Sequence, residues 1–157
     1  MGKATIDATD RKILSLLIRN ARMPFLEIAR ECGISGAEIH QRVKKMEESG
    51  VIRGFRLEVD PTALGYNVSA MIGIRINDPS MNFEIVDGLR RIPEVVECHF
   101  VTGKYNIWTR VYCVDHEHLM HTILDHILRV PGVSETETFI SLSDSFGRQV
   151  SVRDLDQ

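Results

Sequence analysis

The sequence predicts an α+β protein, an N-terminal winged helix-turn-helix followed by a C-terminal ferredoxin-like βαββαβ domain. Three observations carry this. Apolar residues recur at helical spacing in three short blocks before Gly50, with a glycine turn between the second and third. Val68, Ala70, Ile72, Ile74 and Ile76 then fall on every second position, the period of a strand. Beyond them helix and strand patterns follow in the order of a split βαβ plan. The domains are placed at residues 1–60 and 66–157, with a linker at 61–65.

Each element has a local reason. Asp7 or Thr9 can cap a first helix, in which Ile13, Leu14, Leu16, Leu17 and Ile18 form a broad apolar face up to about Arg19. Pro24 fits a first helical turn, and Phe25, Ile28 and Ala29 recur until Gly33, a residue suited to a left-handed helix end. Ser35 opens the third helix, Glu38 completes a capping box, and Ile39, Val43 and Met46 share one face. Val51-Ile52 and Phe55–Val59 read as two short strands pinched at Gly54, a wing. Asp60-Pro61-Thr62-Ala63-Leu64-Gly65 is the linker.

In the second part, Asn77 to Ser80 breaks the first strand. Phe83, Ile85, Val86, Leu89 and Ile92 form a helix that Pro93 ends. Val95–Thr102 and Ile107–Val114 are strands around a Gly103 turn. Asp115–Arg129 is a helix with Leu119, Met120, Ile123, Leu124, Ile127 and Leu128 on one face, and Val133–Ser143 is the last strand. On the second strand, Val96, Cys98 and Phe100 fall on one side, Val95 and Val101 on the other. The two helices cover one sheet face. The other face requires a partner, so oligomerisation is expected.

Composition bounds the function. Hydrophobic content of 43% and charged content of 26% across 157 residues are globular values. The net charge of −3 argues against a nucleic-acid binder, but it hides an asymmetry. Residues 1–60 hold 11 basic and 9 acidic side chains, and the remainder holds 8 and 13, so only the first part suits phosphate. Cys32, Cys98 and Cys113 are widely spaced and form no CxxC, which excludes a disulfide framework or zinc signature; all three read as reduced and mostly buried. No apolar run approaches membrane-spanning length and the N-terminus lacks a signal-peptide core, so a cytoplasmic location without membrane contact is expected.

The ordered set of local motifs resembles the leucine-responsive and asparagine regulator (Lrp/AsnC) family from about Ile6 to Ser145. The matching pieces are Asp10-Arg11-Lys12-Ile13-Leu14, Ile28-Ala29, Gly33-Ile34-Ser35, Arg42-Val43-Lys44-Lys45-Met46-Glu47 and Gly50-Val51-Ile52-Arg53-Gly54-Phe55. The linker, Pro93-Glu94-Val95, the Gly103 loop and Val130-Pro131-Gly132-Val133 complete them. The resemblance implies transcription regulation through double-stranded DNA, homodimers assembling to octamers, and amino-acid effectors bound where dimers meet. It implies no cofactor.

On a helical wheel, Ile39, Val43 and Met46 face the core, while Ala37, Gln41, Lys44, Glu48 and, more laterally, His40 and Lys45 project away. Such a helix suits a major-groove reader. Gln41 can make a bidentate contact to adenine and His40 can donate to a base edge, while Lys44 and Lys45 are placed for phosphates. Ser35, Ala37 and Glu38 lie at the same helix start. Arg42 lies nearer the core edge and is assigned to the DNA backbone or to orienting the helix. Arg22 and Arg53 are further phosphate contacts.

The family's turn after the second strand reads Gly-Asp-Tyr-Asp, whereas this chain has Gly103-Lys104-Tyr105-Asn106. The exchange moves local charge by three units toward positive, two at Lys104 and one at Asn106, and favours an anionic group on the ligand. With Thr136, Thr138, Ser141 and Ser143 of the last strand, this turn is the expected effector site. His118, His121 and Asp125 have metal-like spacing on a helix but lack a supporting shell, so they read as a solvated polar face without metal. The alternative function is an enzyme subunit reusing this architecture, as in siroheme-decarboxylase-like proteins. Against it, the chain lacks a nucleophile elbow and a phosphate-binding glycine loop.

Overall fold

The computed structural model describes residues 5–152; the remaining ends of the expected domain ranges, 1–4 and 153–157, lie outside the described residues. The chain divides into two compact units, Val59–Ser145 forming the second, and the segment from Phe146 groups with the first. The division therefore falls slightly before the expected linker, and the tail leaves the second domain's expected range. No helix among the described residues is long and apolar enough to cross a membrane.

The first unit contains α1 (Ala8–Arg19), α2 (Phe25–Cys32) and α3 (Gly36–Glu48). Asp7 caps α1 in a reciprocal box: its carboxylate accepts from the Asp10 amide at 2.8 Å, and the Asp10 carboxylate accepts from the Asp7 amide at 3.1 Å. Gly33 ends α2 at φ 69°, a left-handed conformation that favours glycine. Ser35 caps α3 by accepting from the Glu38 amide at 3.1 Å. Ile13, Leu16, Leu17, Ile28, Ala29, Ile39, Val43 and Met46 form the core, so α3 buries the face its spacing indicates. Ile18 does not join them; it stands 44% exposed.

The two short wing strands do not form: residues 51–59 carry no strand. Val51 and Ile52 instead pack against the three-helix core, and the Ile52 amide donates to the Met46 carbonyl, closing α3 rather than opening a ladder. Phe55, Leu57 and Val59 remain exposed.

The second unit contains β1 (Val68–Ile76), α4 (Asn82–Arg90), β2 (Val95–Phe100), β3 (Ile107–Cys113), α5 (His116–His121) and β4 (Val133–Ser141). The antiparallel sheet has the order β2-β3-β1-β4. Before it, the expected linker is an ordered turn: the Asp60 carboxylate accepts from the Thr62 amide and the Tyr66 amide donates to the Pro61 carbonyl. Ala70, Ile72, Ile74, Ile107 and Val111 alternate inward against Ile85, Leu89, Leu119 and Ile127.

Two elements depart from their sequence pattern. β2 carries an irregularity between Val95 and Glu97, so Val95 pairs with Val111 and Cys98 with Thr109. That extra residue brings Val95, Cys98 and Phe100 to one face and separates Val96 from them. Cys98 is exposed, against the expectation of burial, while Cys113 is buried and all three thiols are free. The expected helix over Asp115–Arg129 is not uniform: α5 is followed by a π turn at Thr122–His126 and a 3-10 turn at Ile127–Arg129. The wider turn sets the next buried position, Ile127, five residues after Thr122, and the Ile127 amide donates to the Thr122 carbonyl. Thr122 becomes fully buried, donating to the His118 carbonyl at 2.8 Å, while Met120 and Leu124 stand half exposed.

Candidate DNA interface and effector site

Ala37, His40, Gln41, Lys44 and Lys45 are all exposed on α3, on the side away from Ile39, Val43 and Met46. The His40 ring rests edge-on against Phe25 of α2 with centroids 4.8 Å apart. Lys44 lies 3.8 Å from Glu48, a pair exposed enough to exchange for a phosphate at little cost. Arg22 and Arg53 are exposed on the segments flanking α2 and α3.

Arg42 is different. Its Nη1 donates to Asp7 at 2.7 Å and Asp10 at 2.9 Å, and its Nε donates to Glu38 at 2.9 Å. These three carboxylates raise the guanidinium's pKa, with Asp7 contributing most. The Asp7 carboxyl is in turn held below its ordinary value, first by the Asp10 amide and then by Arg42. Glu38 therefore turns to Arg42 and not back to the Ser35 amide, so the expected capping box of α3 is only half made. An ion pair of this kind outcompetes a neutral amide donor.

At the Gly103 turn, Lys104 pairs with Glu137 and its ammonium lies 4.9 Å from the centre of the Tyr105 ring. Tyr105 is buried at 7% exposure and meets Trp108 edge-on, with centroids 5.9 Å apart. Trp108 in turn lies 5.4 Å from Phe139. The Tyr105 hydroxyl is buried and has no hydrogen-bond partner among the described residues. Gly73 makes room for the ring, since a Cβ there would sit 2.6 Å from it. Asn106 is a clamp: its carboxamide oxygen accepts from the Ile76 amide, and its backbone bonds Ile74 and Val101.

The register of β4 divides the expected polar set. Glu137 stands opposite Gly73 and Phe139 opposite Met71, whereas Thr136 and Thr138 stand opposite the buried Ile74 and Ile72. Thr136 and Thr138 thus share the helix-covered face and do not join Lys104. Ser141 is on the Phe139 side and donates to Asp144 at 3.2 Å, while Ser143 lies beyond the strand. Gly73, Trp108 and Phe139 are the residues that sequence reasoning missed. Period-two counting outward from Glu137 finds Phe139, but Gly73 needs the β1–β4 register.

The histidines do not converge. The His118 ring pairs with Glu94 at 3.1 Å and accepts from the Val114 amide, while His121 pairs with Asp125 at 2.8 Å. Among the described residues, no group of three or more His, Cys, Asp or Glu is arranged to hold a metal ion.

Comparison with known proteins agrees with this arrangement. Residues 6–53 match the family described as winged helix-turn-helix DNA-binding, and residues 69–150 match the Lrp/AsnC ligand binding domain. The chain is 36% identical over 150 residues to the regulatory protein AsnC of Escherichia coli, covering 96% of this chain and 99% of that one. It is 34% identical over 140 residues to the HTH-type transcriptional regulator FL11 of Pyrococcus horikoshii, covering 89% and 91% of the two. The solved structure of E. coli AsnC superposes with a TM-score of 0.86 at 35% identity, covering 94% of this chain and 99% of that one. A feast or famine regulatory protein from M. tuberculosis, complexed with L-methionine, superposes with a TM-score of 0.87 at 26% identity, covering 95% of this chain and 100% of that one. These relatives are regulators and not enzymes, which sets aside the enzyme-subunit alternative. A helix-turn-helix with a polar outward face, joined to this antiparallel sheet domain and matched along nearly its whole length, makes the chain a member of the Lrp/AsnC family of DNA-binding transcriptional regulators.

Proposed function

We propose that α3 enters the DNA major groove with Ala37, His40 and Gln41 toward the base edges and Lys44 and Lys45 toward phosphates. Ser35 and Glu38 lie at the approaching end of the helix, and Arg22 and Arg53 contact the flanking backbone. The observation that supports this most is the exposure of the whole outward strip of α3 while Ile39, Val43 and Met46 hold its other side. The second unit binds an amino acid around Gly103, Lys104 and Tyr105, with Glu137 added and Asn106 holding the turn. The M. tuberculosis relative's complex with L-methionine supports the ligand class. Met71 and Phe139, each about two-fifths exposed on the uncovered sheet face, support a homodimer that assembles further, up to an octamer.

The interface is tested by fluorescence anisotropy with a duplex that the unmodified chain selects from a random-sequence pool. Lys45→Ala should weaken binding to this duplex and to a scrambled one alike, and lower the salt slope by about 0.9. Gln41→Ala should cost about 1–3 kcal/mol on the selected duplex alone. Unchanged binding in both variants would overturn the placement of α3.

A further inference from the structure

We propose that Arg42 is a positioning residue, a strut through which the capped start of α1 sets the roll of the DNA-reading helix. The inference rests on the placement of α3 at the DNA and adds how that helix is aimed.

The bonding pattern is economical. Asp7 uses Oδ1 for the capping box and Oδ2 for Arg42; Asp10 uses Oδ2 for the box and Oδ1 for Arg42. One pair of carboxylates thus closes the start of α1 and grips a residue more than thirty positions later. Glu38, one turn earlier on α3, holds Nε from the other side. The guanidinium is tied at two edges, which fixes its plane. The Asp10 side chain is 10% exposed and that of Arg42 26%, so solvent screens this pair less than an ordinary surface salt bridge.

Arg42 is a poor phosphate contact in this setting. Three carboxylates surround one guanidinium, and the surplus negative charge opposes a phosphate. What the strut controls is the azimuth of its neighbours. Gln41 precedes Arg42 and is exposed, and Val43 follows it and is buried. Consecutive side chains sit about 100° apart around a helix, so holding Arg42 aims Gln41. A roll of about 20° would carry the tip of an extended glutamine roughly 2 Å sideways, enough to break a bidentate base contact. Phosphate contacts from long, flexible lysines tolerate such a roll. The strut therefore governs discrimination between sequences more than affinity for DNA.

The test uses the full chain, the selected duplex, and a scrambled duplex of equal length over a salt series. Asp10→Asn and Arg42→Gln should each lower the ratio of selected to scrambled affinity by about tenfold, with the salt slope unchanged. Merely losing charge predicts otherwise. If these groups acted only through electrostatics, Asp10→Asn would strengthen binding to both duplexes, and Arg42→Gln would weaken both and lower the slope by about 0.9. Either result would overturn the strut. Asp7→Asn, at a half-exposed site, is the mild variant for use should the others unfold. It should lower the same ratio, by less, at temperatures where circular dichroism shows the chain fully folded, and an unchanged ratio there counts against the proposal. Should Gln41→Ala and Lys45→Ala change binding while the strut variants do not, the interface stands and the strut falls. Should none change it, the placement of α3 itself fails.

Discussion

Gly73→Ala isolates the packing that holds the Gly103–Asn106 turn. The new Cβ would lie 2.6, 2.7 and 2.9 Å from Cδ2, Cγ and Cε2 of Tyr105. Ordinary carbon contacts begin near 3.5 Å, so the ring must retreat by roughly 1 Å. Cγ is the root of the ring and cannot escape by ring rotation, and Tyr105 is buried against Trp108, which leans on Phe139. Overpacking of this kind costs about 1–3 kcal/mol. Alanine recovers about 0.5–1 kcal/mol relative to glycine in a strand, by backbone entropy. The net expectation is destabilisation by about 1–2 kcal/mol, which for a domain of this size lowers Tm by roughly 4–8 °C per kcal/mol. Urea and thermal unfolding measure it, and a double-mutant cycle assigns it. In a Tyr105→Ala background the obstacle is gone, so Gly73→Ala should be neutral or slightly stabilising there. Equal cost in both backgrounds, or a gain in stability in the unmodified chain, would refute the steric argument.

Two further outcomes follow from the site and the strut. Lys104→Asp places a carboxylate beside Glu137, and calorimetric titration with the standard amino acids should then show preference moving toward neutral or basic ligands; an unchanged ranking would remove Lys104 from the effector site. The depressed pKa of Asp7 means that the folded state favours its carboxylate, so this stabilisation is present above the unfolded value near 3.8 and is lost as pH falls through the lower folded value. The stability of the first unit, followed by helical circular dichroism, should therefore fall below about pH 4, and Asp7→Asn should flatten that dependence.

Much of the molecule was legible in the residues because its patterns are local. The alternation from Val68 to Ile76 reproduces β1, since a strand's two faces repeat every second residue whatever it packs against. Ile39, Val43 and Met46 gave the buried side of α3 for the same reason at helical period. Local periodicity fails where one residue is inserted. The irregularity at Val96 moved Val95 to the face of Cys98, and the π turn at Thr122–His126 set the buried Ile127 five residues after Thr122. The wing strands failed because a strand needs a hydrogen-bonding partner, and Phe55–Val59 has none among the described residues of this chain.

The tertiary structure alone decided the contacts between distant segments. Arg42 reads as an ordinary basic residue of a DNA-reading helix until Asp7 and Asp10, 35 and 32 positions away, are seen to hold it. Thr136 and Thr138 read as ligands until the register of β4 with β1 turns them to the face of Ile74 and Ile72 and leaves Glu137 with Lys104. Composition and period determine which side of an element is apolar, because burial of apolar surface is non-directional and needs only a face. Hydrogen bonds and ion pairs are directional and short-ranged, so their partners exist only once the chain has brought separate elements within about 3 Å of one another.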